Sequence, residues 1–458
     1  MKAKGMNLSL VFTLRKRFAL GGTCIFLVLI LLVTTWTIPF LFESPSILYK
    51  FGIHKTYLRS GKIFGLTAAV LVFFQVLLAS RIKLLDRIFS LNRIYFFHRV
   101  NGIAIAILVL LHPILILAAE NFAIFPFEVR YWPEFLGVGL MVIMAVLVAT
   151  ANWRLLFGFA YDKWLRLHRL GVVPAIALIL IHILFVSETF KSGLPRVFVC
   201  VITGVNLLLI LRLWYYRFFP GKTGKSSFVI SAVERVGRDA YAVDVKPHDG
   251  QLFSYIPGQF AFITPISANV PKEEHPFTIA STPSRHDALQ FIIRTHGDWT
   301  GKIHRLQVGD SVFIDGPYGL FSHVVSLGND PIIMIAGGIG ITPMLSMLRY
   351  MANMDDQRKI LLIWSNKTKE YIVFPEEFRN LKYLLKNFKI INIITRGHED
   401  GDEQGRLDQA KLERLLKGFS RTSKVFICGP FEMMKEVSRV VKKIGFSSTR
   451  VYKEAFKL

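Results

Sequence analysis

The chain has 458 residues, enough for two or three domains, and its 56 Lys and Arg against 32 Asp and Glu give a formal net charge of +24. Its three cysteines, Cys24, Cys200 and Cys428, lie far apart, which excludes a disulfide framework and a Cys-x-x-Cys metal site. No basic recognition element accompanies the charge, so nucleic acid is not an expected partner, and we attribute the charge to membrane topology and to the membrane surface.

Six apolar segments occupy the first half of the chain, each near the length that a ~30 Å hydrocarbon layer requires. They cover residues 18–41, 63–80, 95–119, 135–151, 168–187 and 196–214. The first segment is too long, and is followed by too many others, to be a cleaved signal peptide. We therefore predict a bundle of six transmembrane helices over residues 1–216.

The basic residues of the loops predict an orientation. They cluster before the first segment, between the second and third, and between the fourth and fifth, whereas the loop after the third carries only Arg130. By the positive-inside rule, both termini and the whole C-terminal half lie in the cytoplasm, and we expect a bacterial plasma membrane. The loop with Lys50, Lys55 and Arg59 is more basic than this topology favours.

Two histidine pairs in the apolar segments share one spacing. His98 and His112 lie fourteen residues apart in the third segment, as do His168 and His182 in the fifth. Fourteen residues are close to four α-helical turns, so each pair shares a helix face with about 21 Å between its members. Two such helices side by side would supply two axial imidazoles to each of two stacked haems. For a single histidine the alternative is a hydrogen bond between membrane helices.

An arginine follows the inner histidine of each pair, Arg99 after His98 and Arg169 after His168. At the cytoplasmic edge of the membrane its guanidinium could pair with a haem propionate. The alternative is an ordinary arginine that extends from a helix end to the interface. The sequence leaves both roles open.

The composition changes after Arg217, where a turn-rich linker begins. Alternating segments at 227–233, 240–245, 260–264 and 289–294 predict antiparallel strands of a domain over residues 225–325. From Pro331 an apolar strand, a glycine turn and a helical segment to about Met354 begin a strand–helix alternation, continued at 360–364, 390–395 and 424–428. This alternation predicts a parallel α/β domain over residues 326–458.

The first chemical motif of this half is His275-Pro-Phe-Thr-Ile-Ala-Ser281, with Arg294 and Gly297-Asp-Trp-Thr300 downstream. A strand end with a threonine hydroxyl, an arginine, and a threonine-bearing turn that opens a helix over Gly301–Leu306 suit a flat redox ring and a pyrophosphate. From composition alone, a barrel strand with a polar rim is the alternative.

The second motif, Gly337-Gly-Ile-Gly-Ile-Thr-Pro343, follows an apolar strand and opens a helix. Gly338 and Gly340 let the backbone approach a pyrophosphate, and Pro343 suits the first helical turn. Because a proline stands where the dinucleotide fingerprint has its third glycine, the match is partial. The strand–turn–helix context favours dinucleotide binding.

Together these features resemble the NADPH oxidase and ferric reductase superfamily over about residues 55–458. The resemblance rests on the order of the histidine-paired helices, HPFTIAS, GDWT, Asp315-Gly-Pro-Tyr-Gly319, GGIGITP and Cys428-Gly-Pro430. It implies a multidomain membrane protein with a six-helix transmembrane haem bundle that binds two b-type haems, an antiparallel β-barrel FAD domain and an α/β Rossmann-like NAD(P)-binding domain. It also implies electron transfer from cytoplasmic NADPH or NADH to an external acceptor, with no obligate protein subunit.

The resemblance assigns roles residue by residue. His98 and His168 would ligate the inner haem iron, and His112 and His182 the outer one. The candidate FAD residues are His275, Pro276, Phe277, Thr278, Trp299, Arg294 and Thr300, the last two at the pyrophosphate. The candidate nucleotide residues are Gly338, Gly340, Thr342, Pro343, Cys428, Gly429 and Pro430, and Thr278 and Cys428 are also candidate catalytic residues.

Two assignments lie near the end of the domain. Lys453-Glu-Ala-Phe456 resembles a family ending, Lys-Glu-Asn-Phe, whose aromatic ring covers the flavin, although Lys457 and Leu458 follow here. Phe456 is therefore the predicted flavin cap, with closure of a local core as the alternative. Lys367, Lys369 and Arg396 lie at or just after strand ends, where cations would favour the 2′-phosphate of NADPH.

The acceptor is the least determined element of this interpretation. Oxidases of the family commonly carry a further histidine one turn beyond the outer ligand, where this chain has Ile116. An arginine near the start of the second span is associated with the oxygen site, and Arg59 matches it. We expect superoxide production from oxygen. The alternatives are reduction of ferric iron or another metal and reduction of a separate electron carrier.

Overall fold

The computed structural model describes residues 14–44, 46–123, 126–154, 156–158, 161–218, 226–325, 328–396 and 403–455. The chain forms two compact units. One contains Phe18–Phe89 and Arg93–Phe218, and the other contains Met1–Arg17, Ser90–Asn92 and Phe219–Leu458.

The described residues of the first unit form six long apolar α-helices and one short α-helix, besides 3₁₀ turns. The long ones include stretches of 23 to 29 residues that are long and apolar enough to cross a bilayer. The prediction of six membrane-spanning helices is confirmed. Their bounds are α1 Leu14–Leu41, α2 Gly52–Ala79, α4 Leu91–Ala119, α5 Trp132–Asn152, α6 Tyr161–Val186 and α7 Gly193–Phe218, with the short α3 at Lys83–Phe89.

Helix α2 begins at Gly52, well before the predicted start at residue 63. The prediction excluded Lys55, Arg59 and Lys62 because charged side chains lower the mean hydropathy of a segment. Lysine and arginine are nevertheless good helix formers, so the backbone continues through them. The polar ends of Lys55 and Arg59 pair with Glu43.

The centre of the bundle is an apolar cluster to which five helices contribute. It contains Val72, Ile105, Leu140, Ala175 and Ile210. Many large apolar side chains on the outer faces of the same helices are exposed, as suits helices surrounded by lipid tails. Packing therefore fixes which face of each helix points inward.

The second unit begins with a six-stranded antiparallel sheet of order β4-β3-β6-β1-β2-β5. Its core consists of inward-facing residues such as Phe228, Val243, Ile263, Phe291 and Ile314. The predicted antiparallel flavin-type domain is confirmed. The strands are β1 Ser226–Arg235, β2 Ala240–Pro247, β3 Phe260–Ile266, β4 His275–Thr278, β5 Leu289–Arg294 and β6 Ser311–Tyr318.

The helix expected over Gly301–Leu306 is a 3₁₀ helix over Thr300–Arg305. Lys302 N donates to Trp299 O over 3.0 Å, the i to i+3 bond of a tight turn. The side chain of Ile303 is fully buried in the sheet's core, so one short turn suffices to place it.

A parallel sheet of order β10-β9-β8-β7-β11-β12 follows, with two buried apolar clusters around it. Every residue of β7 is buried, as expected of a parallel strand covered on both faces. The predicted α/β domain is confirmed. Its elements are β7 Ile332–Gly337, α8 Thr342–Asn353, β8 Ile360–Asn366, α9 Pro375–Leu384, β9 Phe388–Ile394, β10 Glu403–Gln404, α10 Gln409–Leu415, β11 Lys424–Cys428, α11 Phe431–Lys443 and β12 Val451–Glu454.

Strand β7 pairs with β8 on one side and with β11 on the other. The chain proceeds outward from β7 through β8 and β9, then returns to the opposite side at β11. In such sheets ligands bind beyond the carboxyl ends of the strands at the point of reversal. The turns after β7 and β11 therefore mark the candidate nucleotide site.

Candidate functional site

The turn after β7 lies directly against the turn after β11. A Cβ on Gly340 would be 2.4 Å from the carbonyl oxygen of Cys428, and one on Gly337 would be 2.7 Å from Pro430 Cδ. A Cβ on Gly429 would be 2.8 Å from Met433 Cε. Only glycine permits this approach, so the backbones of the two turns lie against each other and form one surface.

Helix α8 begins at this surface. Thr342 and Pro343 are buried in its first turn, where Thr342 Oγ1 donates to Ile339 O over 3.2 Å. Proline suits this position because its ring presets the helical φ angle and the first turn needs no amide donor. The positive end of the helix dipole thus points at the surface formed by the two turns, as an anionic pyrophosphate requires.

The thiol of Cys428 is fully buried at the end of β11, opposite Glu454 on β12. Burial raises its pKa well above the ordinary value, and the Glu454 carboxylate raises it further. The side chain therefore stays a neutral thiol and not a nucleophilic thiolate. It can pack against a bound ring without reacting with it.

Strand β4 divides the four predicted flavin residues between two faces. The rings of His275 and Phe277 stack on Trp299, with centroids 4.1 Å and 6.0 Å away. Pro276 and Thr278 point to the opposite face, because side chains alternate along a strand. Trp299 is buried and donates from Nε1 to Pro271 O over 2.9 Å, so it supports the strand from behind.

Arg294 connects the flavin-type sheet to the nucleotide turn. Its Nε donates to Asp239 Oδ1 over 3.0 Å, and a Cβ on Gly338 would be 2.5 Å from its Nη1. Its Nη2 is buried and has no hydrogen-bond partner among the described residues. A buried guanidinium donor normally has an acceptor, and a pyrophosphate oxygen would supply one.

Thr300 is used differently from the prediction. Its hydroxyl donates to His296 O over 2.5 Å and accepts from His296 N over 2.8 Å. The side chain thus closes the turn that precedes the 3₁₀ helix. Arg294 is therefore the better-placed side-chain donor for a flavin pyrophosphate.

Lys367 and Arg396 lie together beyond the carboxyl ends of β8 and β9. Arg396 N donates to Lys367 O over 2.8 Å, and both side chains are exposed. Beside them the Asn366 amide is buried, with neither its nitrogen nor its oxygen bonded to another described residue. Sequence reasoning missed Asn366, although its position as the last residue of the second parallel strand could have identified it.

In the membrane unit, His112 and His182 face each other with ring centroids 6.4 Å apart and planes at 86°. Two imidazoles bound to one metal ion would have their centroids separated by two metal–nitrogen bonds of about 2 Å each plus the distance from each centroid to its bonding nitrogen. The observed separation matches this sum. The rings therefore fit as the two axial ligands of one iron. Within the described residues, no group of three or more His, Cys, Asp or Glu side chains is placed to hold a metal ion.

Backbone carbonyls orient three of the four histidines. Nδ1 lies 3.1 Å from Gln75 O in His98, 2.7 Å from Gly61 O in His112 and 2.9 Å from Pro133 O in His182. Because a carbonyl oxygen only accepts, each Nδ1 carries the proton and each Nε2 keeps its lone pair. This second hydrogen bond is the usual partner of a metal-ligating histidine.

The ring of the fourth histidine, His168, lies with its centroid 5.4 Å from that of Trp164. Its Nδ1 is buried without a hydrogen-bond partner among the described residues. Glycines make room for the other pair: a Cβ on Gly65 would be 2.9 Å from the His112 ring, and one on Gly137 would be 2.6 Å from that of His182. Sequence reasoning missed both glycines, although the Gly61-x-x-x-Gly65 spacing was an available signal for Gly65.

Three of the remaining predicted residues belong to the membrane unit. Arg99 is exposed, and Arg169 is half-buried. Arg59 pairs with Glu43 and lies over the ring of Phe40. Phe456 lies outside the described residues.

Three protein families match consecutive parts of the chain. Residues 64–180 match the ferric reductase like transmembrane component family, residues 227–322 match an FAD-binding domain family, and residues 334–439 match the oxidoreductase NAD-binding domain family. The two histidine helices lie largely within the first match, and the flavin and nucleotide turns within the other two.

Curated relatives resemble part of the chain. It is 29% identical over 212 residues to a glycine betaine monooxygenase reductase subunit of Chromohalobacter salexigens. The matched residues make up 45% of this chain and 57% of the relative. It is 30% identical over 227 residues to flavohemoprotein A of Dictyostelium discoideum, covering 46% and 55%. The chain thus spans less than two thirds of the length of either protein.

A solved structure shares the fold over a longer range. A flavohemoglobin from Malassezia yamatoensis with bound FAD and heme is similar to 90% of this chain and 100% of its own, with 19% identity and a TM-score of 0.50. At this identity the likeness shows the fold alone.

Proposed function

Because this chain has the domain architecture of the NADPH oxidase and ferric reductase superfamily, with a ferric-reductase-like transmembrane domain before FAD-binding and NAD-binding domains, we propose that it is a transmembrane flavohaem oxidoreductase. It takes electrons from cytoplasmic NAD(P)H and delivers them one at a time to an acceptor on the outer face. The observation that carries this proposal is the facing pair of His112 and His182, 6.4 Å apart.

Each group of residues has a positioning role in this scheme. Bound FAD would convert the hydride of NAD(P)H into single-electron steps, and haem iron would transmit them. Arg294 binds the flavin pyrophosphate, and Thr278 lies on the face of β4 away from Trp299. The nucleotide lies on the surface of Gly338, Gly340 and the Cys428 turn. Phe456 remains the proposed flavin cap.

The histidines would hold two irons, one at each of two levels of the bilayer. His98 and His168 form the inner pair, and His112 and His182 the outer one. Arg99 and Arg169 lie at the inner end, where a guanidinium pairs with a propionate. Carbonyl acceptors at Gln75, Gly61 and Pro133 keep Nε2 of three rings free for iron.

The orientation follows from the loop charges, which put the flavin and nucleotide domains in the cytoplasm, and we assign the chain to a bacterial plasma membrane. We further propose NADPH as the preferred donor. Lys367 and Arg396, joined through their backbones, supply two cations near the position of a 2′-phosphate.

Oxygen is the first acceptor that we propose, with superoxide as the product. A specific observation favours a second candidate, a ferric chelate. At Ile116, where family oxidases carry a histidine, the apolar side chain packs against Gly61, since a Cβ there would be 2.7 Å from Ile116 Cδ1. Arg59, the residue matched to the oxygen site, is paired with Glu43.

The test uses the purified full chain loaded with FAD and haem. Without an acceptor and without oxygen, NADPH should reduce the haem, seen as a sharpened α band. Turnover is then compared with oxygen, scored as superoxide-dismutase-sensitive reduction of cytochrome c, and with ferric chelates. If NADPH does not reduce the haem, the proposed electron path is wrong. Reduced haem with negligible turnover on both acceptors would favour a separate electron carrier.

A further inference from the structure

Three cations lie over the ring of one tyrosine, Tyr371. The Cζ atoms of Arg294 and Arg238 are 5.3 Å and 5.6 Å from the ring centroid, and the Nζ atom of Lys367 is 5.8 Å from it. All three distances fall within the range of about 6 Å over which the negative face of an aromatic ring attracts a cation. Tyr371 therefore holds together three positive charges that repel one another.

These cations come from different parts of the second unit. Arg294 ends β5 of the flavin-type sheet, Arg238 lies in the turn between β1 and β2, and Lys367 directly follows β8 of the parallel sheet. Two of them already have candidate roles, Arg294 at the flavin pyrophosphate and Lys367 at the 2′-phosphate of NADPH. Tyr371 thus connects the candidate phosphate-binding residues of the two nucleotides.

Hydrogen bonds hold the Tyr371 backbone against the flavin-type sheet. Tyr371 ends a 3₁₀ turn over Lys369–Tyr371. The carbonyl oxygen of Glu370 accepts from the Arg238 backbone N over 2.8 Å, and Glu370 Oε2 accepts from Arg238 Nη1 over 2.6 Å. These two bonds to one arginine fix the turn, and with it the half-buried tyrosine, beside the connection between β1 and β2.

Carboxylates balance part of the positive charge. Arg294 Nε donates to Asp239 Oδ1 over 3.0 Å, and Glu370 pairs with Arg238. The three cations and these two carboxylates together keep an excess of one positive charge. Arg294 Nη2 is buried and has no hydrogen-bond partner among the described residues, and the Lys367 side chain is exposed. Arg294 and Lys367 therefore each have a donor available to a phosphate.

We propose that Tyr371 is a positioning residue for both nucleotides, because its ring orients Arg294 toward the flavin pyrophosphate and Lys367 toward the 2′-phosphate of NADPH. The inference rests on the proposed function, which supplies these two ligands. Without the ring, both phosphate-binding side chains are still present, but each is free to adopt other rotamers. The affinities for FAD and for NADPH then fall together, although the ring carries no charge of its own.

The experiment measures binding to the full chain, with Tyr371→Leu as the test variant and Tyr371→Phe as the conservative one. Leucine removes the aromatic face. The Kd of FAD for the flavin-free protein and the Kd of 2′,5′-ADP for the flavin-loaded protein should each rise about two- to five-fold, the effect of one cation–π contact. Phenylalanine keeps the face and should restore both values. The Kd of 5′-AMP, which lacks the 2′-phosphate, should stay the same in all three proteins.

A double variant separates positioning from a general loss of structure. Lys367→Gln alone should weaken binding of 2′,5′-ADP. Adding Tyr371→Leu to it should cause no further loss for this ligand, because the ring then has no ammonium group to orient. Tyr383→Leu is the matched control, since this tyrosine is 89% exposed on α9. It should leave the Kd values of FAD and of 2′,5′-ADP unchanged.

Unchanged affinities in Tyr371→Leu would overturn the role of the ring. So would additive losses in the double variant, equal losses for 2′,5′-ADP and 5′-AMP, or the same losses in Tyr371→Phe as in Tyr371→Leu. Failure of the proposed function is seen separately, as wild-type haem that NADPH does not reduce, since none of these binding measurements requires electron transfer.

Discussion

The guanidinium of Arg294 lies so close to Gly338 that a Cβ on this glycine would be 2.5 Å from Arg294 Nη1. Arg294 ends a strand of the flavin-type sheet, and Gly338 opens the nucleotide turn. The absence of a side chain at Gly338 thus lets the Arg294 guanidinium lie directly against this turn. Nη2 of the same guanidinium still lacks a partner among the described residues.

Gly338→Ala is expected to weaken both FAD retention and NADPH binding. The φ of +53° costs alanine about 1 kcal/mol or more, and the added Cβ also displaces Arg294. Equilibrium dialysis of FAD and titration with NADP⁺ measure the two losses. Gly250→Ala is the control, because its φ of +76° imposes similar strain while nothing lies within 4 Å of the added Cβ. Equal losses in both variants would mean that the Arg294 contact is unimportant.

Replacing His112 or His182 by leucine, whose side chain cannot ligate iron, should lower the haem content by about half, since each iron needs both of its imidazoles. Reduction of FAD by NADPH should persist, because hydride transfer precedes the haems. Haem per chain is measured as the pyridine haemochrome. His54→Gln is the control, since His54 also bonds a backbone carbonyl, Ala119 O at 2.9 Å, but belongs to neither pair. Full haem in the His112 or His182 variant would refute the ligand assignment.

The sequence was informative wherever a property repeats along the chain. Histidine spacing indicated that His112 and His182 could meet, because four helical turns return a side chain to the same face. Gly338 and Gly340 indicated that another group closely approaches the backbone at these positions. In the structure, Arg294 lies against Gly338 and Cys428 lies against Gly340. The apolar run up to Ala336 and the strand–helix alternation after it predicted a parallel strand, and every residue of β7 is indeed buried.

Other features depend on contacts between distant segments and leave no local pattern. The carbonyls that orient the histidines belong to Gly61, Gln75 and Pro133. Because every residue has a backbone carbonyl, the sequence does not indicate which ones accept these hydrogen bonds. The face that Phe277 presents to Trp299 depends on strand pairing.

Lys367→Gln and Arg396→Gln should each lower kcat/KM for NADPH about three-fold and leave that for NADH unchanged. A single exposed charge contributes less than about 1 kcal/mol to binding a phosphate. The ratio of the two specificity constants is the measurement. Lys382→Gln serves as the control, since this exposed lysine lies on α9 away from the strand ends. Equal losses of kcat/KM for NADPH and for NADH would show that these cations do not bind the 2′-phosphate.

Acid should destabilise the second unit through His323. Burial lowers the pKa of this imidazole to about 3, and the Arg358 guanidinium lowers it further. In the unfolded chain its pKa is about 6.5, so between these values only the unfolded chain binds the proton. The free energy of unfolding therefore falls as the pH falls below about 6.5, and His323 has no such effect at higher pH.

The measurement for His323 is the midpoint temperature of FAD release between pH 5 and 7. His323→Gln should flatten this pH dependence. The carboxyls of Asp330 and Asp356, whose pKa values are lowered from 3.8, titrate below this window. His286→Gln, at an exposed position, should keep the wild-type slope. An unchanged slope in His323→Gln would assign the acid sensitivity to other groups.

Arg349 joins α8 to the flavin-type sheet and should govern the rate of flavin reduction. Its guanidinium binds both oxygens of Glu377, and its Nη1 also donates to Ala280 O and Gln290 Oε1 over 2.8 Å each. The side chain is 16% exposed, so Arg349→Gln leaves buried acceptors unpaired at a cost of about 1 to 3 kcal/mol.

We expect Arg349→Gln to slow stopped-flow reduction of FAD by NADPH at least about ten-fold, since a shift of about 1 Å between reacting groups can cost that much or more. Binding of NADP⁺ should change less, because the nucleotide turns are intact. Arg349→Lys keeps the charge but cannot form the two-oxygen contact with Glu377, so it should rescue the rate only in part. Arg379→Gln removes an arginine from an exposed pair with Glu376 and should leave the rate unchanged. A rate in Arg349→Gln equal to that of Arg379→Gln would show that this contact does not position the flavin and the nicotinamide.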